Sequence, residues 1–237
     1  MALPMMKAPL YNVTVPSTKR EIQFRPFLVK EEKALLLAQQ SEDPKVMINT
    51  LKNVLQSCIV GDVDIDNLAT FDYEYLFTQI RAKSVGEIVE LIFLCDTCDD
   101  EKAKANVKLD ITKFKVEFPE GHDTNIPLFD DVGIMMKNPS LDTLDKLEKI
   151  RDGDIDSIFD VVVDCIESIY NTDEVFNTKD QTRQEVLDFL ENLTQEQFKK
   201  IENFFLTVPK LKQTVEYDCP VCSKHHVKSM EGLASFF

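Results

Sequence analysis

The chain of 237 residues holds no run of 18 apolar residues, so nothing in it reads as a membrane-spanning helix. Its first residues, Met1-Ala-Leu-Pro-Met-Met-Lys7, lack the long apolar stretch of a secretory signal. The expectation is a soluble protein, cytoplasmic when made, with no membrane partner. Positive charge is in short supply: 27 Lys and Arg stand against 42 Asp and Glu, a net charge of −15. Proteins that neutralise phosphates carry the opposite balance, so no nucleic acid is expected as partner. Glycine is scarce, with six in all, and no phosphate-cradling glycine loop, Gly-x-Ser-x-Gly or His-Glu-x-x-His occurs. The paired carboxylates of so acidic a chain read as solvated faces. No catalytic residue and no small-molecule substrate are therefore expected. Fixed-period repeats and low-complexity stretches are missing too.

What the sequence does contain is six cysteines, four of them in two Cys-x-x-Cys pairs: Cys95-Asp-Thr-Cys98 and Cys219-Pro-Val-Cys222. In a reducing compartment such pairs mean metal or redox chemistry rather than disulfides. Together they offer four sulfurs, the ligand set of a closed tetrahedral zinc site, which is structural because no coordination position is left for substrate. The expectation is one zinc ion shared by Cys95, Cys98, Cys219 and Cys222; iron in a rubredoxin-like setting would use the same ligands. A redox role fits less well, since neither pair opens a helix in a βαβ context. A catalytic alternative would place an open site at Cys222 with His225 or His226. The zinc-deaminase pattern fails, because proline lies inside the second pair and His122 is followed by Asp123 and Thr124. The other two cysteines, Cys58 and Cys165, fall on apolar faces of expected helices and read as buried, inert thiols.

The hydrophobic pattern predicts an α+β fold. Tyr11-Asn-Val-Thr-Val15 and Glu21-Ile-Gln-Phe24 alternate across a turn and predict a hairpin. A helix follows from Lys30; a second starts at Asp43-Pro44, where aspartate caps and proline suits the first helical position. A third covers Phe71 to Ala82. Ile88-Val-Glu-Leu-Ile-Phe-Leu94, Asn106-Val-Lys-Leu-Asp-Ile111 and Phe114-Lys-Val-Glu-Phe118 predict strands around the first cysteine pair. The stretch 119–127 reads as loop, and Val132 to Met136 as strand or helix turn. From Pro139 the pattern predicts helices: Leu141, Leu144, Leu147 and Ile150, then a longer stripe through Ile155, Phe159, Val162, Ile166 and Ile169. Thr182-Arg-Gln-Glu185 and Thr194-Gln-Glu-Gln197 are capping boxes ahead of two more. Gln213-Thr-Val-Glu-Tyr217 and His225-His-Val-Lys228 return to strand pattern on either side of the second pair. The expected organisation is thus an N-terminal hairpin plus helices over 1–87, a split zinc-ribbon-like β module over 88–138 and 210–237, and an inserted helical segment over 139–209.

Three blocks carry a resemblance: Val15-Pro-Ser-Thr18 with Phe24-Arg-Pro-Phe-Leu-Val-Lys-Glu-Glu-Lys33; Phe71-Asp-Tyr-Glu-Tyr-Leu-Phe77 with Arg81-Ala-Lys-Ser-Val-Gly-Glu87; and the terminal Gly232-Leu-Ala-Ser-Phe-Phe237. In these the chain resembles the baseplate hub assembly proteins of T-even-type contractile-tailed bacteriophages. The resemblance implies a non-enzymatic late protein needed to build the central hub of the tail baseplate, acting as an assembly chaperone or staying as a structural component of the virion. It implies hub or tape-measure proteins as partners, and the host cytoplasm during assembly or the virion tail baseplate as location. A zinc-ribbon adaptor of the transcription machinery is the alternative; it calls for a concentrated basic or aromatic face that this chain does not show. Partner contact is expected at Phe236 and Phe237, since exposed aromatics are costly unless covered, and at Arg25 and Phe27. The competing reading folds the two terminal rings onto the protein's own core, packs the aromatics of Phe24 to Lys33, Phe27 among them, into the core and ties Arg25 to a nearby acid.

Overall fold

The computed structural model describes residues 8–41, 43–98, 102–143, 146 and 155–232. They form two compact units. The first takes the described residues within 1–65, 71–117 and 210–237; the second takes those within 66–70 and 118–209. Both mix helices with antiparallel sheets, as the α+β expectation requires.

In the first unit, β1 (Tyr11–Thr14) and β2 (Glu21–Phe24) form the expected hairpin, and the two-residue β3 (Ile59–Val60) extends it into a three-stranded sheet. The turn is closed by Val15 N–H donating to Arg20 O at 2.9 Å and Lys19 N–H donating to Val15 O at 2.9 Å. Helices α1 (Val29–Ser41) and α2 (Pro44–Cys58) follow, α2 starting as the sequence predicts: Asp43 accepts from Lys45 N–H with proline at the first turn. Helix α3 (Thr70–Ser84) buries Phe71, Tyr73, Leu76, Phe77 and Ile80.

β4 (Ile88–Leu94) pairs with β5 (Lys104–Asp110), and β6 (Lys115–Glu117) pairs with β11 (Lys210–Asp218), which pairs in turn with β12 (His225–Glu231). Strand alternation decides which side chains are inside. Leu211, Val215 and Tyr217 of β11 and Ala105 and Leu109 of β5 are buried, and Val89, Leu91 and Phe93 of β4 pack against the same core. Chain segments far apart in sequence thus share one apolar cluster, at whose end the cysteine pairs lie.

The second unit is a four-stranded sheet in the order β10-β9-β8-β7, from β7 (Asn125–Phe129), β8 (Val132–Met136), β9 (Ile166–Tyr170) and β10 (Val175–Asn177). Helices α4 (Ile155–Cys165), α5 (Arg183–Glu191) and α6 (Gln195–Leu206) belong to the same unit. Both capping boxes are made: Thr182 with Glu185, and Thr194 with Gln197. The core joins Ile126, Ile134, Met136, Val162, Ile166, Leu190, Ile201 and Phe204.

Two expectations are corrected here. The segment 139–209 is not purely helical: the stripe through Ile166 and Ile169 breaks at Cys165 and continues as β9. Ile-Glu-Ser-Ile-Tyr satisfies both a period of three and a period of two, and pairing on both sides, with β8 and β10, selects the strand. Asn171 closes the following hairpin, its Oδ1 accepting from Asp173 N–H at 2.9 Å and Glu174 N–H at 2.8 Å. Secondly, β7 and β8, expected in the module with the cysteines, instead pair with β9 in this sheet. Asn125 to Pro127, expected as loop, lies in β7; proline is tolerated there because β7 is an edge strand. Of the predicted stripe Leu141, Leu144, Leu147 and Ile150, only Leu141 lies within the described residues, and it is helical.

Candidate metal centre

Each cysteine pair sits where one strand has ended and the next has not begun: Cys95 and Cys98 between β4 and β5, Cys219 and Cys222 between β11 and β12. Both bends are fixed by backbone bonds. Cys95 N–H donates to Ala103 O at 3.1 Å, Cys219 N–H donates to Lys224 O at 2.9 Å, and Ser223 N–H donates to Cys219 O at 2.9 Å. Ser223 takes a left-handed conformation, φ 58°, to close the second bend. That bend aims Val221 N–H and Cys222 N–H at Cys219 Sγ, at 3.4 and 3.5 Å.

The four sulfurs lie within 4.8 Å of one another. Cys95 Sγ and Cys222 Sγ are 3.9 Å apart, and Cys98 Sγ and Cys219 Sγ 3.8 Å apart. A tetrahedron with metal–sulfur bonds of about 2.3 Å has edges of about 3.8 Å. The donor set and its spacing therefore fit a single four-coordinate ion. All four thiols are free; Cys95 and Cys219 are buried, Cys98 is half-buried and Cys222 is exposed.

So many sulfurs in one place cannot all ionise alike. Hydrogen bonds from the Thr97 hydroxyl and backbone, helped by Cys219 and His226, draw the Cys95 thiol down to about 5. Cys98, hydrogen-bonded to Cys222 and partly desolvated, is pushed up to about 12. A divalent ion would remove this conflict by replacing the retained protons. Lys224 Nζ lies 3.2 Å from Asp96 Oδ1, tying the two bends together across the site.

His226, named above only in the open-site alternative at Cys222, is buried, with Nε2 3.3 Å from Cys95 Sγ. It stacks on Tyr217 at 4.9 Å, and Tyr217 stacks on Phe93 at 5.0 Å. A signal existed. Tyr217 and Cys219 share a strand face by alternation, and His226 is the register partner of Tyr217. His225 points the other way, is exposed, and meets Asp218 Oδ1 at 2.8 Å. Thr97, inside the first pair, was missed; its Oγ1 lies 3.1 Å from Cys95 Sγ.

The remaining candidates are placed elsewhere. Arg25 donates to Glu31 Oε1 at 2.8 Å and to Pro26 O at 2.9 Å. Phe27 is half-buried, packs against Phe77 with ring centroids 5.9 Å apart, and its N–H donates to Ser84 Oγ at 2.8 Å. Both make contacts inside their own unit. Phe236 and Phe237 lie outside the described residues. Cys58 and Cys165 are fully buried, and desolvation pushes their thiols up to about 11 and about 12, so both stay protonated. Among the described residues, no helix is long and apolar enough to cross a membrane.

Comparison with known proteins gives a consistent picture. The family model described as T4 bacteriophage base plate protein matches residues 8–237. The baseplate hub assembly protein gp26 of Enterobacteria phage T4 is 25% identical over 228 residues, which is 96% of this chain and 97% of that protein. No solved structure matches.

Proposed function

Since this chain belongs to the T4 bacteriophage base plate protein family, we propose that it is a non-enzymatic assembly factor for the central hub of a phage tail baseplate. It acts as a chaperone through protein–protein contacts with hub or tape-measure proteins. The observation that carries this reading is the end-to-end likeness to a baseplate hub assembly protein, which spans both structural units.

Within that role, Cys95, Cys98, Cys219 and Cys222 hold one structural zinc ion in a zinc-ribbon-like module. What supports this is the donor set, all sulfur, and sulfur spacings of 3.8 and 3.9 Å. A closed four-thiolate site fixes two distant bends and leaves no position for a reacting group, which suits scaffolding rather than turnover.

Deleting the coding sequence from the phage, with complementation in trans, tests the role. Infected cells should accumulate heads and incomplete baseplates, and complementation should restore tails. Complete, functional tails from the deletion would overturn the reading. Mass spectrometry of finished virions beside infected-cell lysate then separates the two modes. A chaperone is present in the lysate and absent from virions; a retained hub component is present in both.

A further inference from the structure

A buried imidazole beside one of four clustered sulfurs calls for an explanation. His226 Nε2 is 3.3 Å from Cys95 Sγ, at a position 6% exposed. The ring is fixed on one face by Tyr217, 4.9 Å away and 12° from parallel. Tyr217 is itself fixed by Phe93, 5.0 Å away and 15° from parallel, and its hydroxyl donates to Leu94 O at 3.4 Å. The ring's position is therefore set by a stack built on β4, β11 and β12, three of the four strands that flank the cysteine bends.

Two roles are open to such a ring, ligand or supporting donor. The set that converges for a fourfold site is the four sulfurs; His226 converges only with Cys95 and Asp96. It therefore stands outside the tetrahedron, behind one corner of it. A metal-bound thiolate has no proton, so the nitrogen facing it must carry one. The other nitrogen, Nδ1, is 3.7 Å from Asp96 Oδ1, beyond hydrogen-bond distance, and Asp96 is engaged by Lys224.

The four sulfurs are also unequally supported. Cys219 accepts two backbone N–H groups from its own bend. Cys95 lies in the bend with acidic neighbours and adds to the donors of Thr97, inside its own bend, one from outside it, the ring of His226. Four thiolates around a divalent ion leave two negative charges in a partly buried place, and each N–H···S bond disperses some of that charge.

Resting on the four-cysteine reading above, we propose that His226 is a positioning residue of the metal centre: its Nε2–H donates to the Cys95 sulfur and holds that ligand in place for the ion. It gives Cys95 a donor carried by β12, the strand that follows the second bend.

The test uses the full chain loaded with zinc and labelled with 15N at histidine. The expected result is a protonated Nε2 on His226 with a slowly exchanging proton. In the 113Cd-substituted protein that proton should couple to the metal through sulfur. An unprotonated Nε2 would overturn the proposal in the unmutated protein, whatever the variants do. His226→Phe keeps a ring for the stack and removes the donor. Chelator competition should show about 10- to 100-fold weaker zinc binding. The cobalt-substituted variant should keep the ligand-field bands of a four-sulfur tetrahedron, with its sulfur-to-metal charge-transfer band shifted. Unchanged affinity with an unmoved band, or a ligand field altered in donor number, would overturn it. The metal content of the unmutated protein reads the parent proposal separately. Metal-free protein sinks the four-cysteine site, whereas fully loaded protein with an unprotonated Nε2 sinks only the role of His226.

Discussion

Cys95 Sγ and Cys222 Sγ stand 3.9 Å apart across a sequence separation of 127 residues. Such a contact closes a very long loop, and its entropic cost rises only slowly with loop length. The apolar cluster of β4, β5 and β11 meets part of that cost, and an ion gripped by four sulfurs would meet much of the rest. Chelation of the purified protein should therefore lower the melting temperature of the cysteine-bearing unit while leaving the other unit's transition in place. A loss of roughly 5 kcal/mol would correspond to a drop of about 10–20 °C by calorimetry. Cys219→Ser should behave like chelated protein. A melting profile insensitive to chelator would remove the metal from the account.

How much of this was legible in the sequence depended on whether the signal was local. Asp43-Pro44, Thr182 with Glu185 and Thr194 with Gln197 are local chemistry, and each helix starts where its cap sits. The cysteine pairs were legible because their meaning does not depend on neighbours. By contrast, Ile166 to Tyr170 suits two periods at once, and only its pairing with β8 and β10 decides between them. Which acid Arg25 meets was not legible for a related reason. A glutamate in a first helical turn reads as a solvated acid serving the macrodipole, yet it is 5% exposed because Arg25 reaches it from outside the helix. His226 lies between these cases: the alternation that buries it is in the sequence, but the sulfur it meets belongs to the other, distant pair.

Asp72 and Ser17 form the tie between the β1–β2 turn and α3. Asp72 is fully buried and accepts from Ser17 N–H at 2.9 Å and from the Ser17 hydroxyl. Burial raises the carboxyl above its usual range, and the two Ser17 bonds partly oppose that. A folded value above the unfolded one means that the folded state holds the proton more tightly. The stabilising contribution is thus complete at acid pH and declines as pH rises through the folded value. Ser17→Ala should cost about 1–3 kcal/mol at neutral pH, because a buried carboxylate loses a donor. Asp72→Asn keeps an acceptor without the charge. Denaturant titrations should place it within about 1 kcal/mol of the unmutated protein at neutral pH, with a flatter pH dependence.

Gly133 in β8 lies beneath the Tyr170 ring. A Cβ there would fall 2.2 Å from Tyr170 Oη and 2.9 Å from the Ile126 carbonyl oxygen. The ring can swing away, but the carbonyl belongs to the paired strand β7 and cannot move without disturbing the ladder. Gly133→Ala should destabilise the second unit by roughly 1–3 kcal/mol. Adding Tyr170→Ala should recover only part of the loss, since the clash with Ile126 remains. Full recovery in the double variant would assign the whole effect to the ring.

Arg25 separates an internal role from a partner-facing one. Glu31 accepts from Arg25 Nη2 at 2.8 Å and from Leu28 N–H at 2.8 Å, so the pair joins the end of β2 to the start of α1. Burial would raise the Glu31 carboxyl, but the Arg25 bond, the Leu28 N–H and the charges of Arg25 and Lys30 together hold it below its usual 4.5. With the folded value below the unfolded one, the contribution is complete above about pH 4.5 and is lost as pH falls through the folded value. Arg25→Met should leave the buried carboxylate only the Leu28 N–H and Lys30, 3.5 Å away, and cost about 1–3 kcal/mol at neutral pH. Its acid unfolding should begin at a higher pH than that of the unmutated protein. Arg25→Met with Glu31→Gln should recover most of the stability, because the side-chain amide carries no charge and still accepts from Leu28 N–H. If Arg25 serves only the fold, tail assembly should fail in phage carrying Arg25→Met at high temperature and recover in the double variant. A double variant that is stable in solution yet builds no tails would show instead that the guanidinium itself meets a partner.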